Sequence, residues 1–209
     1  MYCPLFIKIK KSRPLGMSPE LHYRCRFFDG ASSKKVGGVG FCLMLNEYHH
    51  LEFALGAGPC TNTKVELIGL WALMHTTQMM GIPKLRIFGD SLVIINWAKG
   101  TSSLSPPELY HWCRDTRNLC SCFLELSFYH IYHEFNQLAD CLSKKSLSLA
   151  PGFGNFSKYI EGLLTSQDCF VLFWAWCWSM FSFLSTAPHY DLLWSRLLLD
   201  CFSALFSSW

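Results

Sequence analysis

The sequence predicts an α/β domain of about 125 residues, in which a three-stranded antiparallel meander is followed by strands alternating with helices. Two patterns point to it. Three close-spaced apolar runs, Tyr23 to Phe28, Val36 to Leu45 and Leu51 to Ala57, have strand character, whereas from Thr61 onward longer helical stretches alternate with short apolar ones. Composition is the third observation. The chain has 209 residues, 51% hydrophobic and 16% charged, against a globular norm of roughly 25% charged, which excludes disorder over the whole length. That length gives one domain room for an appendage.

Each element has its own signal. Tyr23 to Phe28 is aromatic and alternating, Val36 to Leu45 is apolar with three glycines, and Leu51 to Ala57 completes the meander. After Pro59, Thr61-Asn62 offers a helix cap, and Val65, Ile68 and Ala72 continue an apolar face to about Met80, where Gly81 and Pro83 end the helix. Leu85-Arg86-Ile87-Phe88 is a fourth strand. Ser91 to Ala98 is helical until Gly100, Pro106-Pro107 opens a helix to about Leu119, and Leu124 to Ile131 is a fifth strand. Asn136 caps a last helix through about Leu147. The order is β-β-β-α-β-α-α-β-α, without an internal repeat.

These elements bound a domain at residues 23–149. Residues 1–22 form a basic, extended lead-in with Pro4, Pro14 and Pro19, and residues 150–168 are expected to be a linker. Residues 169–209 form a hydrophobic tail rich in Trp and Phe, whose only charges are Asp191, Arg196 and Asp200. Within it, residues 169–187 are uncharged and long enough to cross a bilayer. Trp clustered in mid-segment and nearly absent basic flanks fit a span poorly. The alternatives are an extension packed on the domain and a segment never selected to fold. A net charge of +3 permits a polyanionic partner without requiring one. Eleven cysteines, an odd number, and an opening without a leader-like pattern point to reduced thiols and an intracellular protein, nuclear or cytoplasmic, or membrane-bound if the tail spans.

Four carboxylates fall at element ends. Asp29 closes the first strand, Glu66 lies in the first turns of the helix opened by Thr61-Asn62, Asp90 ends the fourth strand, and Asp140 lies one turn into the last helix. If the first and fourth strands run parallel, Asp29 and Asp90 become neighbours outside their carboxyl ends. Gathered carboxylates repel one another and invite a divalent cation, and hard oxygen donors suit magnesium or manganese. Each residue alone has another reading: Asp29-Gly30 as a hairpin turn, Glu66 as dipole stabilisation, Asp90-Ser91 as a helix cap.

Five segments stand in register: Phe28-Asp29-Gly30-Ala31-Ser32, Gly37-Gly38-Val39-Gly40, Thr61-Asn62-Thr63-Lys64-Val65-Glu66-Leu67, Gly89-Asp90-Ser91 and Asn136-Gln137-Leu138-Ala139-Asp140. Together they resemble the type 1 ribonuclease H family, and within it the reverse transcriptase-like, retroelement-derived domains abundant in plant genomes. The four carboxylates follow one another at intervals of 37, 24 and 50 residues, which agrees with that family. The resemblance implies a ribonuclease H-like fold: a five-stranded mixed sheet, three antiparallel strands then two parallel, flanked by helices. It also implies an endonuclease that hydrolyses the RNA strand of RNA/DNA hybrids, with Asp29, Glu66, Asp90 and Asp140 holding two Mg2+ ions, for which Mn2+ can substitute. Asp29 would bridge both ions, Asp140 would serve the one that activates water, and Glu66 and Asp90 the one facing the leaving 3′ oxygen.

His130, ten residues before Asp140, matches a histidine that in this family assists proton transfer or product release; as a residue it also simply ends a strand. Gly30, Asn62, Thr63 and Ser91 match positions lining the hybrid groove, where amides and hydroxyls can read a 2′-hydroxyl. Thr63 departs from the asparagine often found there, which loosens the expected preference for RNA. A zinc reading of Cys120, Cys122, His130 and His133 is disfavoured by the single residue between the cysteines. Without a long basic insertion between Gly100 and His111, hybrid affinity rests on scattered cations such as Lys34, Lys35, Lys64, Lys144 and Lys145. The expected protein is a monomer without a small-molecule cofactor. Its alternatives are an inactive nucleic-acid-binding module of the same fold and a membrane-tethered protein.

Overall fold

Glycine-rich, apolar alternation closes the meander. In the computed structural model, which describes residues 25–34, 36–46 and 48–171, strands β1 (Cys25–Ser33), β2 (Val36–Asn46) and β3 (His49–Pro59) pair antiparallel. β1 runs past Phe28 and stays paired with β2 as far as Ser33 opposite Val36. The chain turns at Lys34, whose φ of 49° is the left-handed value that tight hairpins use. Asp29-Gly30 is therefore inside a strand and is not a turn, and Asp29 does not close β1.

β4 (Lys84–Gly89) lies on the other side of β1 and runs parallel to it, and β5 (Glu125–His130) runs parallel to β4. Pairing between β1 and β4 ends at Phe27 opposite Phe88. Asp29 thus stands just beyond the stretch that β4 covers. Fully buried Phe28, Phe41, Leu43, Leu85 and Ile87 fill the sheet's share of the core, each such side chain contributing about 1.5–3 kcal/mol.

Four helices complete the domain: α1 (Asn62–Met79), α2 (Leu92–Ala98), α3 (Tyr110–Cys120) and α4 (Gln137–Lys145). Thr61 caps α1 by accepting the Lys64 N–H at 3.3 Å. α1 is buried on most sides, including Leu67, Leu70, Leu73 and Met74, because it packs on the sheet and on α3, where Trp71 meets Trp112 edge-on at 5.1 Å. Pro106-Pro107 opens a short 3-10 turn, Pro107–Leu109, which leads into α3. α4 stops at Lys145 and a 3-10 turn takes Ser146–Ser148, so the last helix is shorter than expected.

α1 and α4 approach opposite faces of the sheet through glycines. A Cβ on Gly30 would sit 2.6 Å from the backbone of Val65 and Glu66, and one on Gly40 would sit 2.3 Å from Ala139 O and Ser143 N. No larger residue permits these approaches.

The sheet has seven strands, in the order β5-β4-β1-β2-β3-β6-β7, and not five. β6 (Phe153–Ile160) and β7 (Leu163–Val171) form a hairpin on the free edge of β3, turning at Glu161 and Gly162 with φ of 52° and 75°. Residues 150–168 are therefore no linker. Their pattern is weak because only Gly154 and Phe156 of β6 are buried, the latter against Phe53 at 5.0 Å. The chain divides into two units, Met1–Leu172 and Phe173–Trp209. The second unit, and the lead-in at residues 1–22, lie outside the described residues, as does most of the candidate span at 169–187. Among the described residues, no helix is long and apolar enough to cross a membrane, and the cysteines are free thiols.

Candidate metal centre

Three carboxylates converge where β1, β4 and α1 meet. Ligand oxygens of Asp29, Glu66 and Asp90 all lie within 4.8 Å of one another. β1 supplies Asp29 beyond the end of its pairing with β4, the residue after β4 is Asp90, and the close approach of α1 to Gly30 brings Glu66 alongside.

Their electrostatics follow from crowding. Asp29, 6% exposed, is pushed up to about 6 chiefly by burial and then by the charges of Asp90 and Asp140, against the pull of the Ser143 hydroxyl that donates to its Oδ2. Burial, with Asp29 and Asp90 nearby, drives Glu66 well above the usual carboxylate range, although the Gly30 N–H donates to it. Glu66 Oε2 is shut from solvent without a hydrogen-bond partner. A buried acceptor left unmatched among repelling carboxylates is the environment that a hard cation relieves, so these residues fit magnesium or manganese.

Asp140 stands apart from this cluster. Lys144, one turn on, places Nζ 2.7 Å from both of its oxygens, and His133 Nε2 lies 3.9 Å from Oδ2. His130 ends β5, exposed, with Nε2 donating to the Asp90 carbonyl at 3.1 Å. It thus touches the backbone of the site and not its carboxylates. Gly30 lies under Glu66, Asn62 and Thr63 open α1, with Asn62 exposed, and Ser91 precedes α2 with no capping bond from its hydroxyl. Cys120 and Cys122 turn their thiols to the carbonyls of Thr116 and Asn118, and no zinc set forms from them with His130 and His133.

Three further side chains hold the carboxylates in ways that the cap reading of Asn136 and the zinc reading of His133 did not foresee. Asn136 precedes α4 but makes no capping bond; its Nδ2 donates to Phe28 O at 2.9 Å and to Asp90 Oδ1 at 3.0 Å. His133 Nδ1 donates to Asp90 Oδ2 at 2.8 Å, and that bond raises the imidazole above its usual range. Ser143 is a fully buried hydroxyl on α4, whose place three residues after Asp140 was the only available hint. A cavity of about 160 Å³ lined by Trp97, Thr116, Arg117 and Phe128 contains none of the carboxylates.

Known proteins share this architecture. The chain is similar to the ribonuclease H1 of the halophilic archaeon Halobacterium salinarum, with 24% identity and a TM-score of 0.55 over 61% of this chain and 98% of that one. It is also similar to LC11 ribonuclease H1, solved in complex with an RNA/DNA hybrid, with 20% identity and a TM-score of 0.53 over 59% of this chain and 95% of that one. These likenesses establish the fold. A protein of Arabidopsis thaliana that bears the name of a ribonuclease H is 31% identical over 108 residues, which are 50% of this chain and 17% of that protein's length. The reverse transcriptase-like family matches residues 27–146, from the strand that carries Asp29 to the end of α4. With more than half of its length so matched, the chain belongs to the reverse transcriptase-like family, and its described domain is ribonuclease H-like.

Proposed function

We propose that this chain is a metal-dependent endonuclease that hydrolyses the RNA strand of RNA/DNA hybrids, and that it derives from a retroelement. The observation that carries the reading is the convergence of Asp29, Glu66 and Asp90 within 4.8 Å where β4 ends beside β1 and α1 in a ribonuclease H-like sheet. Asp29, Glu66 and Asp90 would hold the divalent cation, with Asp140 beside them for a second. Bound Mg2+ or Mn2+ supplies charge neutralisation at a phosphodiester and a lower pKa for attacking water.

The protein's own groups do the rest. Gly30 N–H and Ser143 Oγ–H fix Glu66 and Asp29 against their mutual repulsion. His130 commits its Nε2 proton to the Asp90 carbonyl, which leaves Nδ1 to take a proton near the site. Asn62 and Thr63, at the start of α1, and Ser91, directly after Asp90, would be the polar groups that meet a 2′-hydroxyl.

One observation favours a second reading, a binding module without turnover: Asp140 is engaged by Lys144 and lies outside the convergent set. A single experiment separates the two. The full chain and Asp29→Asn are incubated with a labelled RNA/DNA hybrid and magnesium or manganese. Cleavage of the RNA strand by the parent alone is the expected result. Equal cleavage by both, or none by either, removes the enzyme, and retained hybrid binding without cleavage leaves the binding module.

A further inference from the structure

Asp90 has each of its carboxylate oxygens held by the side-chain N–H of a different residue. Oδ1 accepts from Asn136 Nδ2 and Oδ2 from His133 Nδ1. Both donors belong to one short 3-10 turn between β5 and α4, closed by Phe135 N–H to Tyr132 O at 2.8 Å and Asn136 N–H to His133 O at 2.9 Å. The turn is tied down at both ends. Ile131 N–H donates to Gly89 O at 3.0 Å, and Asn136, 1% exposed, also donates to Phe28 O. Since both partners of the Asn136 amide are acceptors, its nitrogen must face them, and the orientation is chemically fixed.

The same turn sets the start of α4. Asn136 O accepts the Asp140 N–H at 3.0 Å, and His133 Nε2 lies 3.9 Å from the Asp140 carboxylate. We propose that the His133–Asn136 turn is a positioning clamp, which orients the Asp90 carboxylate for cation binding and gauges its separation from Asp140. This rests on the carboxylates being the metal centre proposed above, and makes His133 and Asn136 positioning residues. Hydrogen-bond partners of ligating carboxylates act in this way, by fixing the ligand before the metal arrives.

His133 is the residue to test, because its side chain is 63% exposed and its loss leaves the core untouched. Mn2+ affinity of the full chain, without nucleic acid, is measured by titration calorimetry for the parent, His133→Ala, His133→Asn, and each again with Asp90→Asn. His133→Ala should weaken Mn2+ about tenfold, the usual size of such an effect. His133→Asn, whose amide reaches as far as Nδ1, should restore affinity to within about threefold of the parent. With Asp90→Asn already present, His133→Ala should cost nothing further. Parent-like affinity in His133→Ala, or an undiminished loss in the Asp90→Asn background, overturns the clamp. A parent that binds no Mn2+ overturns both the clamp and the metal centre. Binding with the predicted pattern but without hybrid cleavage supports the clamp and defeats only the nuclease.

Discussion

Replacing Asp29 by asparagine should stabilise the metal-free protein, and only at a pH where the aspartate is charged. In the fold its carboxyl is raised from the usual 3.8 to about 6, mainly because it is buried. A raised folded-state pKa means that stability is fully present below the unfolded value and is lost as pH rises through the folded one. The loss therefore develops between about pH 4 and pH 6, and amounts to about 3 kcal/mol at pH 8. The substituted amide carries no charge at any pH, so the variant escapes this loss, and it also relieves Glu66, for which the Asp29 charge is the second cause of its upward shift. In EDTA at pH 8 the variant should melt up to about 6–12 °C above the parent, while at pH 4 the two should melt together. Magnesium should reverse the order at pH 8, because a cation held only by the folded parent raises its stability by mass action. Thermal melts followed by circular dichroism at the two pH values decide it. A variant no more stable than the parent at pH 8, or equally more stable at pH 4, refutes the electrostatic account of the site.

Three other outcomes follow from the same geometry. Asp90→Asn should reduce hybrid cleavage by orders of magnitude while the metal-free melting temperature stays level, since relief of repulsion is offset by an amide NH2 that must face the donor of His133 or Asn136. Gly30→Ala should cost about 1–3 kcal/mol in urea denaturation and weaken Mn2+ binding, because its Cβ has to push the Val65–Glu66 backbone away from β1. A chain ended after Leu172 should retain one cooperative melt and associate less than the full chain. One ended after Asp168 should melt lower, because β6 loses the β7 partners of Phe153, Gly154 and Asn155.

How far each feature was legible depends on how local its cause is. The central strands and α1 announce themselves because each buries its own apolar residues, as Phe28, Phe41 and Leu67 do. Asp29, Glu66 and Asp90 could be singled out because their intervals match a family, although each alone reads as an ordinary turn, dipole or cap residue. The β6–β7 hairpin gives no such signal: its apolar residues do not alternate cleanly, β6 buries only Gly154 and Phe156, and it pairs with β3 through backbone bonds that any sequence can make. Its turn, Glu161-Gly162, lacks the asparagine or aspartate that usually marks one.

Asn136 shows the deeper limit. An asparagine just before a helix is most simply read as its cap, and the capping reading needs nothing beyond the next three residues. Its backbone instead adopts φ −108° and ψ 16°, not the extended geometry of a capping residue, and the side chain turns away from α4 to Phe28 and Asp90. Phe28 O, just beyond the stretch of β1 that β4 covers, and the Asp90 carboxylate just after β4 draw the amide NH2 toward them, because these acceptors are buried or nearly so and costly to leave unpaired, whereas the N–H groups of a helix terminus can turn to water. The choice between cap and clamp is therefore made by the burial of Phe28 O and the charge of Asp90, residues distant in sequence, and not by any feature of residues 133–140.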